Sequence, residues 1–117
     1  MRKFLFLTCL AVTAGLFSFS QTAKRNLRPA DIYRMQSIGG AQISPDGNWI
    51  AYVLTSVDSA KDKRNGDLWM MSWDGTESIQ LTNGPDSESN PKWSPDNKFI
   101  SFTASRNAGT GQVYLMN

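Results

Sequence analysis

There is no histidine in this chain of 117 residues, and its one cysteine is Cys9. Without an imidazole a Ser-His-Asp triad cannot be assembled from these residues, and the zinc sites built on histidine go with it. Charge of one sign is also missing. Twelve Lys and Arg stand against ten Asp and Glu, and Arg2 and Lys3 at the extreme N-terminus carry the surplus. No basic stripe results, so nucleic acid is not an expected partner. The glycines form no phosphate loop: Asn-Gly-Pro at 83–85 and Asn-Ala-Gly-Thr-Gly at 107–111 lack the Walker lysine and the strand-to-helix setting. No metal, cofactor or catalytic residue is assigned to the chain. What is present is an apolar fraction of 40% and an aromatic fraction of 11%, the composition of a globular protein with room for at most one small domain.

The one long apolar run lies at the start. Arg2 and Lys3 precede an apolar stretch at 4–17, and Ser18 and Ser20 supply the small residues ahead of a cleavage point before Gln21. This order of charge, apolar run and small residues is that of a secretory signal peptide over 1–20, too short for a membrane anchor. Phe6-Leu7-Thr8 before Cys9 makes a poor lipobox. Cleavage removes the cysteine, so the exported chain, periplasmic or extracellular, has neither disulfide nor thiol chemistry and no membrane attachment.

The segment 21–40 starts polar and becomes amphipathic. Pro29 presets φ for a first helical turn, and Asp31 places a negative charge near the positive end of the helix. Ile32 and Met35 share one face, which predicts a short helix that buries both and stops at Gly39-Gly40.

From residue 41 the pattern becomes short strands and turns, and it repeats. Ile-Ser-Pro-Asp-Gly-Asn-Trp-Ile-Ala-Tyr at 43–52 returns as Trp-Ser-Pro-Asp-Asn-Lys-Phe-Ile-Ser-Phe at 93–102, an offset of 50 residues. Leu-Trp-Met-Met at 68–71 returns as Val-Tyr-Leu-Met at 113–116, an offset of 45. Pro45 and Pro95 set φ at a turn, and Asp46 and Asp96 can accept the turn's own amides. Gly47 and Asn97 are the two residue types that best tolerate positive φ. Asp74-Gly75 reads as a two-residue hairpin turn, and Asn65-Gly66 as the close of the preceding loop. A period near 50 built from short strands predicts propeller blades. The expectation is an all-β chain, a partial β-propeller of about one and three-quarter four-stranded antiparallel blades. Blade one spans 41–82 and partial blade two 90–117. Strands 49–54 and 99–103 are apolar on both faces, as sheets between neighbouring blades are. So short an arc cannot close a ring, and the chain is expected to be part of a longer one.

Few side chains invite a chemical role. Lys92 and Ser94 could be paired as base and nucleophile, but at this spacing on an extended segment they read as surface. Asp46 and Asp96 read as one structural task done twice. Asp58, Lys61, Asp62, Lys63 and Arg64 read as a solvated hairpin tip. Asp86 and Glu88 fall in the connector between blades, where a substrate-facing role is conceivable. Trp49, Trp69 and Trp93 read as packing between blades, and Trp73 as the exposed tryptophan.

The run Leu-Arg-Pro-Ala-Asp-Ile-Tyr-Arg-Met at 27–35, followed by Gly-Ala-Gln-Ile-Ser-Pro-Asp-Gly at 40–47, resembles the mature start of bacterial enzymes of the prolyl oligopeptidase family. The similarity is to its acylaminoacyl-peptidase and dipeptidyl-peptidase branch. Lys-Arg-Asn-Gly-Asp-Leu-Trp at 63–69 and Gln-Leu-Thr at 80–82 look like the same branch. The Ser-Pro-Asp-Gly turn alone is shared with TolB-like propellers. Arg28 departs from the pattern, because the family usually has Thr or Ser at that helix cap. The resemblance implies a secreted serine peptidase that releases aminoacyl or dipeptidyl units. Its triad would stand on a C-terminal α/β-hydrolase domain absent from this chain, to which peptide substrate would bind and access to which the propeller would gate. Glu77 and Glu88 match no family motif for the substrate's amino group. The alternative is a non-catalytic TolB-like periplasmic propeller that binds proteins. A propeller glycosidase is disfavoured because Gly47 follows Asp46 directly.

Overall fold

The computed structural model describes residues 24–117; the expected signal peptide lies outside the described residues. Seven strands form two separate antiparallel sheets. The first sheet takes β1 (Ser37–Ile43), β2 (Trp49–Asp58), β3 (Lys63–Ser72) and β4 (Ser78–Gln80) in that order. The second takes β5 (Glu88–Trp93), β6 (Ile100–Ala104) and β7 (Gln112–Met116), again in order. Each strand pairs with its neighbours in sequence, so every connection within a sheet is a hairpin. The two Ser-Pro-Asp copies occupy equivalent places, between the first and second strands of separate sheets.

Side chains alternate between the faces of a strand, and the register sorts them. Ala51 stands opposite Met70 and Val53 opposite Leu68 on what we term the front face of the first sheet. Ile50, Tyr52, Leu54, Trp69 and Met71 fall on its back face. In the second sheet Ile100 pairs with Met116 and Phe102 with Tyr114 on the back face, whereas Ser101 pairs with Leu115 and Thr103 with Val113 on the front. The core forms where the front of the first sheet meets the back of the second: Ala51, Val53, Leu68, Ile100, Phe102 and Ala104 are buried, with Met70, Leu81, Trp93, Tyr114 and Met116 packed against them. Trp93 Nε1 adds a hydrogen bond across the sheets to the Gln42 carbonyl, at 3.2 Å.

Several local expectations need correction. β1 begins at Ser37, not near Gln42, so Gly39 and Gly40 belong to the sheet and do not end a helix. The register slips by one residue between Gly39 and Gln42, a β-bulge in which Gly40 has φ of 61°. The second sheet repeats it between Ser89 and Lys92, with Asn90 at φ 54°. The predicted helix is a 3₁₀ helix, Pro29–Arg34, and it buries nothing: Ile32 is 47% and Met35 62% exposed. The Arg28 side chain has no acceptor to cap it. Instead Asp31 accepts the Arg28 backbone N–H at 2.8 Å and both guanidinium nitrogens of Arg25 at 2.6 and 2.7 Å. Tyr33 Oη donates to Asp62 Oδ1 at 3.3 Å, tying this segment to the β2–β3 hairpin.

Asn65 and Gly66 lie inside β3, and the hairpin turns at 59–62 with Asp62 at φ 48°. Gly66 is needed for close approach. A Cβ there would stand 2.9 Å from Val53 Cγ1 and 3.1 Å from the Glu88 carbonyl oxygen.

Candidate functional site

Three turns gather at one end of the sheets and share one design. In 44–49, the Ser44 hydroxyl donates to Asp46 Oδ1 at 2.5 Å and accepts the Trp49 N–H at 2.9 Å, while Asp46 also accepts the Asn48 N–H. In 94–99, Ser94, Asp96, Lys98 and Phe99 repeat these bonds at 2.5, 3.2 and 2.9 Å. The third copy, 72–77, is Ser-Trp-Asp-Gly-Thr-Glu. Ser72 donates to Asp74 at 2.7 Å and accepts the Glu77 N–H at 2.9 Å, and Asp74 accepts the Thr76 N–H. Asp74-Gly75 is therefore the middle of a four-residue loop closed by Ser72 and Glu77, not a two-residue turn. The position after each aspartate has positive φ: 75° at Gly47, 74° at Gly75 and 61° at Asn97. In every copy the serine hydroxyl holds the carboxyl below its ordinary value, and a backbone N–H two residues on adds to the shift.

Asp46 and Asp96 both accept hydrogen bonds within their own turns, and Asp46 is also met by the Asn97 side chain of the other copy. The Ser94 hydroxyl is engaged as donor to Asp96 and acceptor from the Phe99 N–H. Between the first and second copies lies a cleft of about 350 Å³, lined by Trp49, Met70, Trp93, Phe99 and Met116, with Asp46 and Asn97 at its rim. Trp73 is exposed at 63%, the other three tryptophans half-buried. Among the described residues no three His, Cys, Asp or Glu side chains are grouped as a metal site.

The opposite end holds the one buried charged side chain among the described residues. Glu88 opens β5 and is 3% exposed, so it belongs to a strand and not to the connector. The Thr82 hydroxyl, buried beside it, accepts the Leu68 N–H and donates to Glu88 Oε2, both at 2.8 Å. Glu88 Oε1 faces the Arg106 guanidinium at 3.7 Å. Arg106 lies over the Tyr114 ring at 4.6 Å and the Phe102 ring at 5.9 Å. Burial pushes the Glu88 carboxyl above its ordinary value; Thr82 and Arg106 pull it down, and Asp67 and Asp86 add to the rise. The chain Leu68–Thr82–Glu88–Arg106 thus links the two sheets. Sequence reasoning named Glu88 but not its partners, because Leu68 and Thr82, 14 apart, and Glu88 and Arg106, 18 apart, meet through strand pairing, and Thr82 and Glu88 through the packing of the sheets. A shallow cavity of about 310 Å³ adjoins it, walled by the 81–86 connector and Arg106.

No family model matches the chain. Three curated proteins do, and all carry peptidase names. The uncharacterized peptidase YuxL of Bacillus subtilis is 30% identical over 94 residues, which is 80% of this chain and 14% of that protein. Dipeptidyl-peptidase 5 of Porphyromonas endodontalis is 28% identical over 83 residues, 70% of this chain and 12% of that protein. Dipeptidyl-peptidase 5 of Porphyromonas gingivalis is 27% identical over 106 residues, 87% of this chain and 16% of that protein. The chain is thus similar to peptidases, at low identity, and spans between 12% and 16% of their length.

Proposed function

We propose that this chain is the N-terminal β-propeller part of an exported serine peptidase of the prolyl oligopeptidase kind, one that releases dipeptides or aminoacyl units from short peptides. The similarity to three proteins named as peptidases, two of them dipeptidyl-peptidases, carries this reading. The unlike faces of the two sheets support the propeller. The front of one sheet covers the back of the next, so the arrangement can be continued sheet by sheet, and a ring results if the rotation closes. With no histidine in this chain, the triad on this reading stands on another part of a longer protein. On this reading the propeller's contribution is to restrict which peptides reach that part.

The test uses a full-length protein that contains this chain. It should hydrolyse dipeptidyl or aminoacyl 4-nitroanilides and be inactivated by a serine-reactive fluorophosphonate. The 117-residue chain alone should turn over neither substrate. A full-length protein that is inactive and unlabelled overturns the peptidase reading and leaves a binding propeller in its place.

A further inference from the structure

Asparagine or aspartate followed by glycine is chemically unstable where the chain is free. With no Cβ in the way, the glycine nitrogen can reach the side-chain carbonyl carbon and close a succinimide ring. The chain has four such pairs: Asp46-Gly47, Asn65-Gly66, Asp74-Gly75 and Asn83-Gly84. The fold secures three of them. The Gly47 and Gly75 N–H groups donate to the Ser44 and Ser72 carbonyls, both at 2.9 Å, and the carboxyls ahead of them accept the bonds of their own turns. Inside β3, the Gly66 N–H donates to Ser87 Oγ at 2.9 Å and Asn65 Nδ2 to the Gly84 carbonyl at 2.8 Å. Asn83-Gly84 differs. It lies in the connector between the sheets, outside any strand, and Asn83 is exposed. Among the described residues, neither the Gly84 N–H nor the Asn83 side chain has a hydrogen-bond partner. Nor does the fold require glycine at 84: its φ is not positive, and a Cβ there would come no closer than 3.9 Å, to the Asp86 nitrogen.

We infer that Asn83 is a site of spontaneous deamidation, converting with time to aspartate and isoaspartate, while Asn65 in the same dipeptide is preserved by its strand. The Gly84 nitrogen gives up its proton and bonds to Asn83 Cγ, and Nδ2 leaves with a proton as ammonia. Water then opens the ring. Attack at Cγ restores the original main chain with aspartate at 83; attack at the main-chain carbonyl carbon leaves isoaspartate, and in both the nitrogen regains a proton. Isoaspartate adds one carbon to the main chain between two held points. On one side the Thr82 hydroxyl holds the Leu68 N–H and Glu88; on the other the Gly84 carbonyl holds Asn65. The new carboxyl joins Asp86 and Glu88 at the cavity that Arg106 also walls. Conversion therefore loosens the link between the two sheets. The inference rests on bonds inside the chain and does not depend on the peptidase reading.

The test is peptide mapping of a full-length protein that contains this chain, incubated at mildly alkaline pH in water enriched in heavy oxygen. Trypsin, cutting after Arg64 and Lys92, releases both asparagine-glycine pairs on one peptide, 65–92. The expected result is the exchange of NH for labelled O at Asn83, with part of the product accepted by an isoaspartyl methyltransferase. Asn65 reacts only when its strand opens, so in the folded protein Asn83 should convert roughly tenfold faster or more. In denaturing urea the two rates should become similar. Gly84→Ala, which the backbone accommodates, should slow conversion at Asn83 severalfold in the folded protein. A folded protein in which Asn83 stays intact overturns the inference. So does one in which Asn65 converts as fast as Asn83, or a Gly84→Ala variant that converts as fast as the parent.

Discussion

Asn97 combines two demands in one side chain. Its backbone sits at φ 61°, where a Cβ is strained, and its Oδ1 is buried without a hydrogen-bond partner. Glycine removes both penalties but gives up the Asn97 side-chain bond to Asp46, so Asn97→Gly should be close to neutral. Asn97→Val should cost about 1–2 kcal/mol, the usual penalty for a left-handed residue; urea unfolding of the two variants checks both. Glu88 gives the second residue-scale prediction. Its carboxyl is raised in the folded protein, so the fold binds that proton more tightly than the unfolded chain does. Its contribution to stability therefore grows as pH falls from neutral through the raised value, and is complete below the ordinary value. Glu88→Gln keeps an acceptor for Thr82 without the buried charge, so it should match or exceed the parent at pH 7 and lose that advantage in acid. Glu88→Ala leaves the Thr82 hydroxyl unpartnered and should cost about 1–3 kcal/mol. Thermal melts from pH 7 to pH 4 separate the three proteins.

At the scale of elements, what could be read in the sequence depended on whether a local signal existed. The Ser-Pro-Asp turns were legible because proline, aspartate and a Gly or Asn at the positive-φ position all recur. The third copy escaped because Trp73 replaces the proline and Glu77 replaces the aromatic; the surviving signal was serine two residues ahead of Asp-Gly. Gly40 was misread because a glycine pair ends helices as readily as it makes a bulge, and Asn90, its counterpart 50 residues on, would have decided between them. Ile32 and Met35 had helical spacing but no surface to cover, and a short 3₁₀ helix of two turns resulted. Ser44 is buried, whereas Ser72 is half-buried. Ser44→Ala should therefore lower the melting temperature more than Ser72→Ala. Gly66→Ala should be worse than either, at roughly 1–3 kcal/mol, because the Glu88 backbone cannot move aside. The N-terminal segment has its own acid limit. Arg25 and then the Arg28 N–H lower the Asp31 carboxyl to about 2. The order this pair supplies is present above the ordinary carboxylate value and is lost as pH falls through about 2. Arg25 and Asp31 side-chain NMR shifts against pH would follow that loss.

At the scale of the whole molecule, the division into two sheets and their order were legible from the repeat alone, since equal segments 50 residues apart must have equal partners. Which faces meet was not, because β2 is apolar on both sides and only the register with β3 distinguishes them. Every strand pairs with a neighbour in sequence, so each sheet can form as soon as its own strands leave the ribosome. The covering of Ala51, Val53 and Leu68 must wait for Ile100 and Phe102. At a synthesis rate of about 5–20 residues per second, the stretch from Leu68 to Phe102 takes roughly 2–7 s to appear. For that interval the nascent chain displays an uncovered apolar sheet, and this is when a chaperone would have most to gain by holding it.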